Sequence, residues 1–206
     1  MKETGIIMSG DHPRKILDGT KTMTRRTWGL EKINKSPDEW VQPWQLSFES
    51  DLWTWRSTQT GEVITIKCPY GYIGDLLWVR ETYAVRTDGV DQILYKADYD
   101  SIVEMLELDE FVKRMGYPPL SIKWKPSIHM FRKDSRIERE ITGLRAERLQ
   151  EINEADALFE GIEPFKYDLV HLDKLPVQKF HNLWDSLNAK RGYGWDFNPW
   201  VWPISF

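Results

Sequence analysis

The residues best suited to chemistry lie in one short stretch, residues 19–26, with the sequence Gly-Thr-Lys-Thr-Met-Thr-Arg-Arg. No apolar period runs through this stretch, so packing into a core does not explain its composition. Cations and hydroxyls placed this close together repel and desolvate one another. Such a stretch is typical of a site for an anion or a nucleotide, or of a catalytic site, and a solvated loop is the alternative.

Short elements precede this stretch and must position it. Residues 4–10 have the composition of a short buried strand that ends at a turn. A helix is predicted around 12–18, with Asp11 as its cap, Pro13 in its first turn and Gly19 just past its end.

The spacing of Lys21 and Thr24 sets a geometric condition. Side chains alternate along a strand, so residues three apart would point to opposite faces. The two side chains can therefore share one site only if residues 19–24 form a turn, which Gly19 permits.

The remaining segments predict many short strands with a few helices among them. The clearest predicted element is a hairpin of two strands with alternating residue types. Acidic residues dominate residues 88–110. The predicted elements are a hairpin of 51–57 and 62–67, a turn at 71–75, strands over 76–85 and 92–97, and a helix over 101–115.

The last third of the chain contains a carboxylate in an unusual place. Asn153 can cap a short helix that Gly161 closes, which puts Glu160 in its last turn. A carboxylate there opposes the helix dipole, so a nearby cation would help. The other predicted elements here are one long strand or a bent pair over 136–149, a helix over 176–191, and a final strand over 200–206 that Pro203 places at a sheet edge.

These patterns predict an α+β fold built on a small mixed β-barrel, in one domain. The formal net charge of −4 gives no support to nucleic-acid binding by itself, although residues 1–36 and 121–150 are locally basic. Cys68 is the sole cysteine, so an internal disulfide and a cysteine zinc site are excluded. No secretion signal or membrane span is recognised, which predicts a soluble cytoplasmic protein. We predict no cofactor and no metal site.

Several motifs together resemble one family. The Gly19-x-Lys21-Thr22-x-Thr24-x-Arg26 stretch is similar to the opening signature of the ASCH domain, a relative of the PUA fold. The longer members found in phages and prophages share further motifs. Those matched here are Gly74-Asp75, Trp124-x-Pro126-Ser127-Ile128-His129-Met130, the run from Leu149 to Ile162, Leu183-Trp184-Asp185-Ser186-x-Asn188 and the run from Gly192 to Trp200.

The resemblance covers most of the chain except about 30–70 and 88–119, which it implies are insertions in a single ASCH domain spanning 1–206. It implies a bacterial, phage or prophage origin, and binding of RNA or nucleosides. One bacterial branch with a similar signature hydrolyses the amide of N4-acetylcytidine. By position, the catalytic residues of that branch become Lys21, Thr24 and Glu160.

The chemistry of amide hydrolysis is compatible with these three residue types. Thr24 needs a neighbouring base to act as the nucleophile, and Lys21 serves as that base only if burial or nearby cations such as Arg25 and Arg26 favour its neutral form. Glu160 could donate a proton to the leaving nitrogen from an enclosed pocket.

Arg25 and Arg26 are candidates for contact with the substrate, and further candidates lie elsewhere in the chain. Trp78, Arg80 and Glu81 are candidates for the walls of the pocket, and Trp78 could stack on a base. The alternative for Trp78, which the residues favour slightly, is that it fills the barrel. His129 and Arg132 lie in a basic loop that could contact phosphate. The alternatives to an amidohydrolase are a non-catalytic RNA-binding module and a ribonuclease.

Overall fold

The computed structural model describes residues 1–45, 51–85, 92–98, 122–163 and 175–206. The predicted helix over 101–115 and most of the predicted insertion over 88–119 lie outside these residues. Three α-helices are described, namely α1 (His12–Leu17), α2 (Glu154–Phe159) and α3 (Leu175–Asn188). No helix in the described residues is long and apolar enough to cross a membrane.

The strands of the described residues are short, and they are β1 Glu3–Ile7, β2 Met23–Arg26, β3 Trp44–Gln45, β4 Leu52–Arg56, β5 Val63–Lys67, β6 Leu76–Arg80, β7 Tyr83–Val85, β8 Ile93–Tyr95, β9 Glu138–Glu140, β10 Gly143–Leu144, β11 Glu147–Arg148 and β12 Trp200–Ser205. They form sheets in the orders β1-β6-β9, β3-β4-β5 and β7-β8, and a fourth sheet around β12. The predicted α+β class is confirmed. The described strands do not close into a barrel, so the barrel stays a prediction.

Residue contacts divide the chain into two compact units. Unit 1 comprises residues 1–4, 19–76 and 139–206, and unit 2 comprises residues 5–18 and 77–138. The single domain with two insertions stays a prediction.

Strand β12 is the centre of its sheet in unit 1. It pairs with β2 on one side and with β10 and β11 on the other, so the prediction that Pro203 marks an edge strand is wrong. Pro203 has no N–H to donate and lies where the second side is interrupted between β10 and β11. The N–H of Arg145 still donates to the carbonyl oxygen of Pro203 at 3.2 Å, which leaves half of that pairing in place.

Aromatic side chains fill the core of unit 1. Trp55 and Trp202 are fully buried and meet edge to face with ring centroids 5.7 Å apart, and Trp200 also meets Trp55 edge to face. Helix α3 presents Phe180 and Trp184 to a second cluster beneath α2 and β12. These two clusters fix β2, β12 and α2 in place around the residues discussed below.

Unit 2 differs from its predicted pattern at one point. Residues 76–85 do not form one strand, because β6 ends at Arg80 and β7 begins at Tyr83. Glu81 and Thr82 lie in the break, and the Glu81 side chain is buried. The alternation of apolar and polar residues over 76–85 does not predict the break between β6 and β7. The break accompanies the burial of Glu81, and that burial depends on Arg136, a residue far along the chain.

Candidate functional site

The short helix α2 ends at Phe159, and Glu160 is its C-cap residue, within one residue of the predicted position. The Asn153 side chain accepts a hydrogen bond of 2.9 Å from the N–H of Asp156, which caps the start of the helix. Gly161 follows Glu160 with a φ of 83°, a left-handed conformation that ends helices and favours glycine. Glu160 therefore stands at the negative end of the helix, where its carboxylate is unfavourable without a cation.

Lys21 supplies a cation at this point. Its Nζ donates to Glu160 Oε2 at 2.7 Å and to the Glu160 carbonyl oxygen at 2.8 Å. The backbones of the two residues form an isolated antiparallel bridge, and the N–H of Thr22 donates to the carbonyl oxygen of Phe159. Lys21 is 1% exposed and Glu160 is 5% exposed, so water screens this ion pair little.

Arg25 reaches the same carboxylate from β2. Its Nη1 lies 3.4 Å from Glu160 Oε1, while its Nη2 donates to Glu147 Oε1 at 2.8 Å and also to Asp156. The guanidinium carbon stands 5.9 Å from the centre of the Phe180 ring, a distance at which a cation interacts with an aromatic face. Three carboxylates thus occupy Arg25, which leaves it poorly placed to bind a phosphate.

We call this set the Lys21–Glu160 network; its members are Lys21, Arg25, Arg145, Glu147, Asp156 and Glu160. Arg145 completes it by pairing with Glu147 and Asp156. Three cations therefore balance three carboxylates. Buried charges are tolerated only when they are paired and hydrogen-bonded in this way, so the network holds β2, β11 and α2 in a fixed arrangement.

Thr24 lies on the opposite face of β2 from this network. The backbone pairs with β12 without a turn, since Thr24 pairs with Ile204 and the N–H of Phe206 donates to the carbonyl oxygen of Thr22. Side chains alternate along such a strand, and Lys21 and Arg25 both face Glu160. The Thr24 side chain is buried on the other side. Arg26, partly buried, follows Thr24 on that face by the same alternation.

The other predicted contact residues belong to unit 2. Trp78 packs on Gly5, where an added Cβ would lie 2.6 Å from the indole ring. The Arg80 guanidinium lies 5.5 Å from the Trp78 ring centre and donates to the carbonyl oxygen of Ile128. These contacts make Trp78 a packed side chain with partial exposure.

Glu81 is the most buried of these residues, at 1% exposure. Arg136 binds both of its oxygens, at 3.0 and 3.2 Å, and also pairs with Asp98. Burial raises the pKa of Glu81, and the ion pair with Arg136 opposes that effect only in part. His129 is exposed, and Arg132 is partly exposed and pairs with Glu138 at 2.8 Å.

The structure thus brings Lys21, Arg25 and Glu160 together, with Thr24 one residue away on the other face. The sequence by itself gives no sign of the roles of Arg145, Glu147 and Asp156 in this network. Alternating charges in short strands resemble a solvated surface. The indications of an interaction here are the helix-end position of Glu160 and the family resemblance, which assigns Lys21 and Glu160 to one site.

Comparisons of the chain with models of protein families, with curated proteins and with solved structures find no match.

Proposed function

We propose that this chain is an ASCH-type protein of the PUA-like class that binds a nucleoside or RNA in unit 1 and hydrolyses the amide of an N4-acylated cytidine there. One observation supports the proposal above the others. Lys21 and Glu160, which the family resemblance assigns to catalysis, are 139 residues apart in the sequence and 2.7 Å apart in space. A shared catalytic role requires the two side chains to be this close.

A buried lysine and carboxylate at hydrogen-bond distance can exchange a proton. In the proposed reaction, water forms a bond to the acyl carbon, the bond from that carbon to N4 breaks, and the products are a carboxylate and cytidine. Lys21 in its neutral form accepts a proton from the water, and Glu160 passes a proton to the leaving nitrogen. Because Thr24 lies on the other face of β2, water is the nucleophile in this scheme.

The test is incubation of the purified protein with N4-acetylcytidine, with cytidine release followed by chromatography. We expect turnover by the wild type and its loss in Lys21→Met and Glu160→Gln, because each change removes one partner in the proton exchange. Thr24→Val should keep most of the activity. Lys32→Met is the matched control, since Lys32 is an exposed lysine of the same unit.

Circular dichroism shows whether each variant is folded, so that lost activity is not mistaken for lost structure. No turnover by the folded wild type would refute the hydrolase, and so would equal turnover by Lys21→Met. Strong loss in Thr24→Val would return the role of nucleophile to the threonine.

A non-catalytic RNA-binding module is a second candidate, and the charge balance of the network favours it. Arg25 gives Glu160 a second cation, which stabilises the carboxylate and disfavours its role as a proton donor. This candidate predicts salt-sensitive RNA binding that Arg26→Ala weakens, without any product from N4-acetylcytidine. Incubation with labelled RNA separates both candidates from a ribonuclease, which would shorten the RNA.

A further inference from the structure

Unit 2 contains a cavity of about 360 Å³ that the proposed function does not use. Its volume lies in the range of small-molecule sites, roughly 300–1,000 Å³. Met8, Pro13 and Ala97 supply apolar walls, and the first two are buried. Apolar walls of this kind suit a flat ring, and the methionine sulfur packs well against aromatic groups.

The polar wall of this cavity is Glu81, with Thr82 beside it. Both Glu81 oxygens are bound by Arg136, which neutralises the charge. A carboxylate has about four lone-pair positions, so Glu81 can still accept hydrogen bonds from a ligand. A neutralised carboxylate of this kind favours the N–H groups of a heterocycle over an ammonium group.

The charged groups around the cavity favour an anion at one position. Asp11 pairs with Lys15 at 2.7 Å, and Arg14 pairs with Asp18 at 3.2 Å and approaches Asp98. Lys96 is exposed at the cavity wall and makes no ion pair with the residues that the structure describes. Its ammonium group is therefore the cation available to a ligand.

We propose that this cavity binds a nucleoside monophosphate. The base packs against Met8 and Pro13 with its N–H edge toward Glu81, and the phosphate pairs with Lys96. The inference does not rest on the proposed hydrolase, because every described residue that lines the cavity belongs to unit 2.

Isothermal titration calorimetry with adenosine and cytidine 5′-monophosphates tests the proposal, with the free nucleosides and inorganic phosphate as comparisons. We expect the nucleotides to bind more tightly than either fragment. Lys96→Ala should weaken nucleotide binding about tenfold, the size of one charged hydrogen bond, and leave the affinity for the free nucleoside unchanged. Glu81→Gln should weaken both, because one acceptor oxygen becomes a donor.

Two controls make the outcome specific. Lys123→Ala removes another exposed lysine of unit 2 that does not line the cavity, and it should not change the affinity. Lys32→Met removes an exposed lysine of unit 1 and should bind nucleotides like the wild type, so a loss in Lys96→Ala is not a general effect of removing a lysine. Absence of binding by both nucleotides would overturn the proposal, and so would binding that Lys96→Ala leaves unchanged.

Discussion

Replacement of Arg25 by methionine tests the energetics of the Lys21–Glu160 network. The Arg25 side chain is fully buried and serves Glu147, Asp156 and Glu160 at once. Methionine has similar length and can keep the contact with Phe180, so the substitution removes charge and hydrogen bonds with little loss of volume.

The magnitude follows from the charges that remain. Without Arg25, Lys21 and Arg145 face three carboxylates, and one buried negative charge lacks compensation. Removal of one partner from a buried ion pair costs about 3–5 kcal/mol, because the other partner stays desolvated. We therefore expect the free energy of unfolding to fall by about this amount near neutral pH.

Urea unfolding followed by tryptophan fluorescence measures this effect, since several tryptophans are buried in unit 1. The matched control is Lys32→Met, which removes a pair with Glu62 that is more than half exposed. Exposed pairs contribute about 0–1 kcal/mol, so this variant should resemble the wild type. A loss below about 1 kcal/mol in Arg25→Met would refute the argument, because it would mean that water already compensates these carboxylates.

Three further predictions concern single buried groups. Burial raises the pKa of Glu81, so its contribution to stability is present below the ordinary value of 4.5 and is lost as the pH rises through the folded-state pKa. Glu81→Gln should therefore flatten the fall in urea midpoint above that value. Burial raises the pKa of Cys68 to about 12, so iodoacetamide should alkylate this thiol only after unfolding, as mass spectrometry can measure. Gly5→Ala should lower the free energy of unfolding by about 1–3 kcal/mol, because its Cβ would overlap the Trp78 ring, and a thermal melt measures this loss as a lower melting temperature.

Each of these predictions has a result that contradicts it. A pH profile of Glu81→Gln that matches the wild type would mean that the ion pair with Arg136 compensates burial fully. Rapid alkylation of Cys68 in the native protein would show that this thiol is accessible. An unchanged melting temperature for Gly5→Ala would show that the Trp78 ring can move aside at no cost.

The elements that the sequence predicts well are those with local signals. The predicted hairpin is present as β4 and β5, which pair with Arg56 opposite Val63. Helix α3 begins and ends close to its predicted limits, and Gly192 ends the 3₁₀ turn that follows it with a φ of 83°. A helix cap, a turn and a periodic run of apolar residues are each encoded by a few consecutive residues. Each of them determines the secondary structure of its own segment.

The features that the sequence does not predict depend on distant partners. Pro203 is accommodated in a central strand only because the neighbouring pairing is interrupted at Arg145. The break between β6 and β7 accompanies the burial of Glu81, which depends on Arg136, 55 residues later. In both cases the local sequence preference is overridden by a contact with a residue that is distant in the sequence.

The candidate site combines both kinds of feature. The end of α2 predicts a cation near Glu160, but it does not say which cation. The two-residue period of the strand identifies the cations, because the side chains of Lys21 and Arg25 lie on the same face, which contacts Glu160 at the helix end. The same period places Thr24 on the other face, so this strand cannot present Lys21 and Thr24 together to a substrate beside Glu160. The activity of Thr24→Val against N4-acetylcytidine therefore decides between a water-based reaction in this arrangement and a rearranged strand that brings the threonine to Lys21.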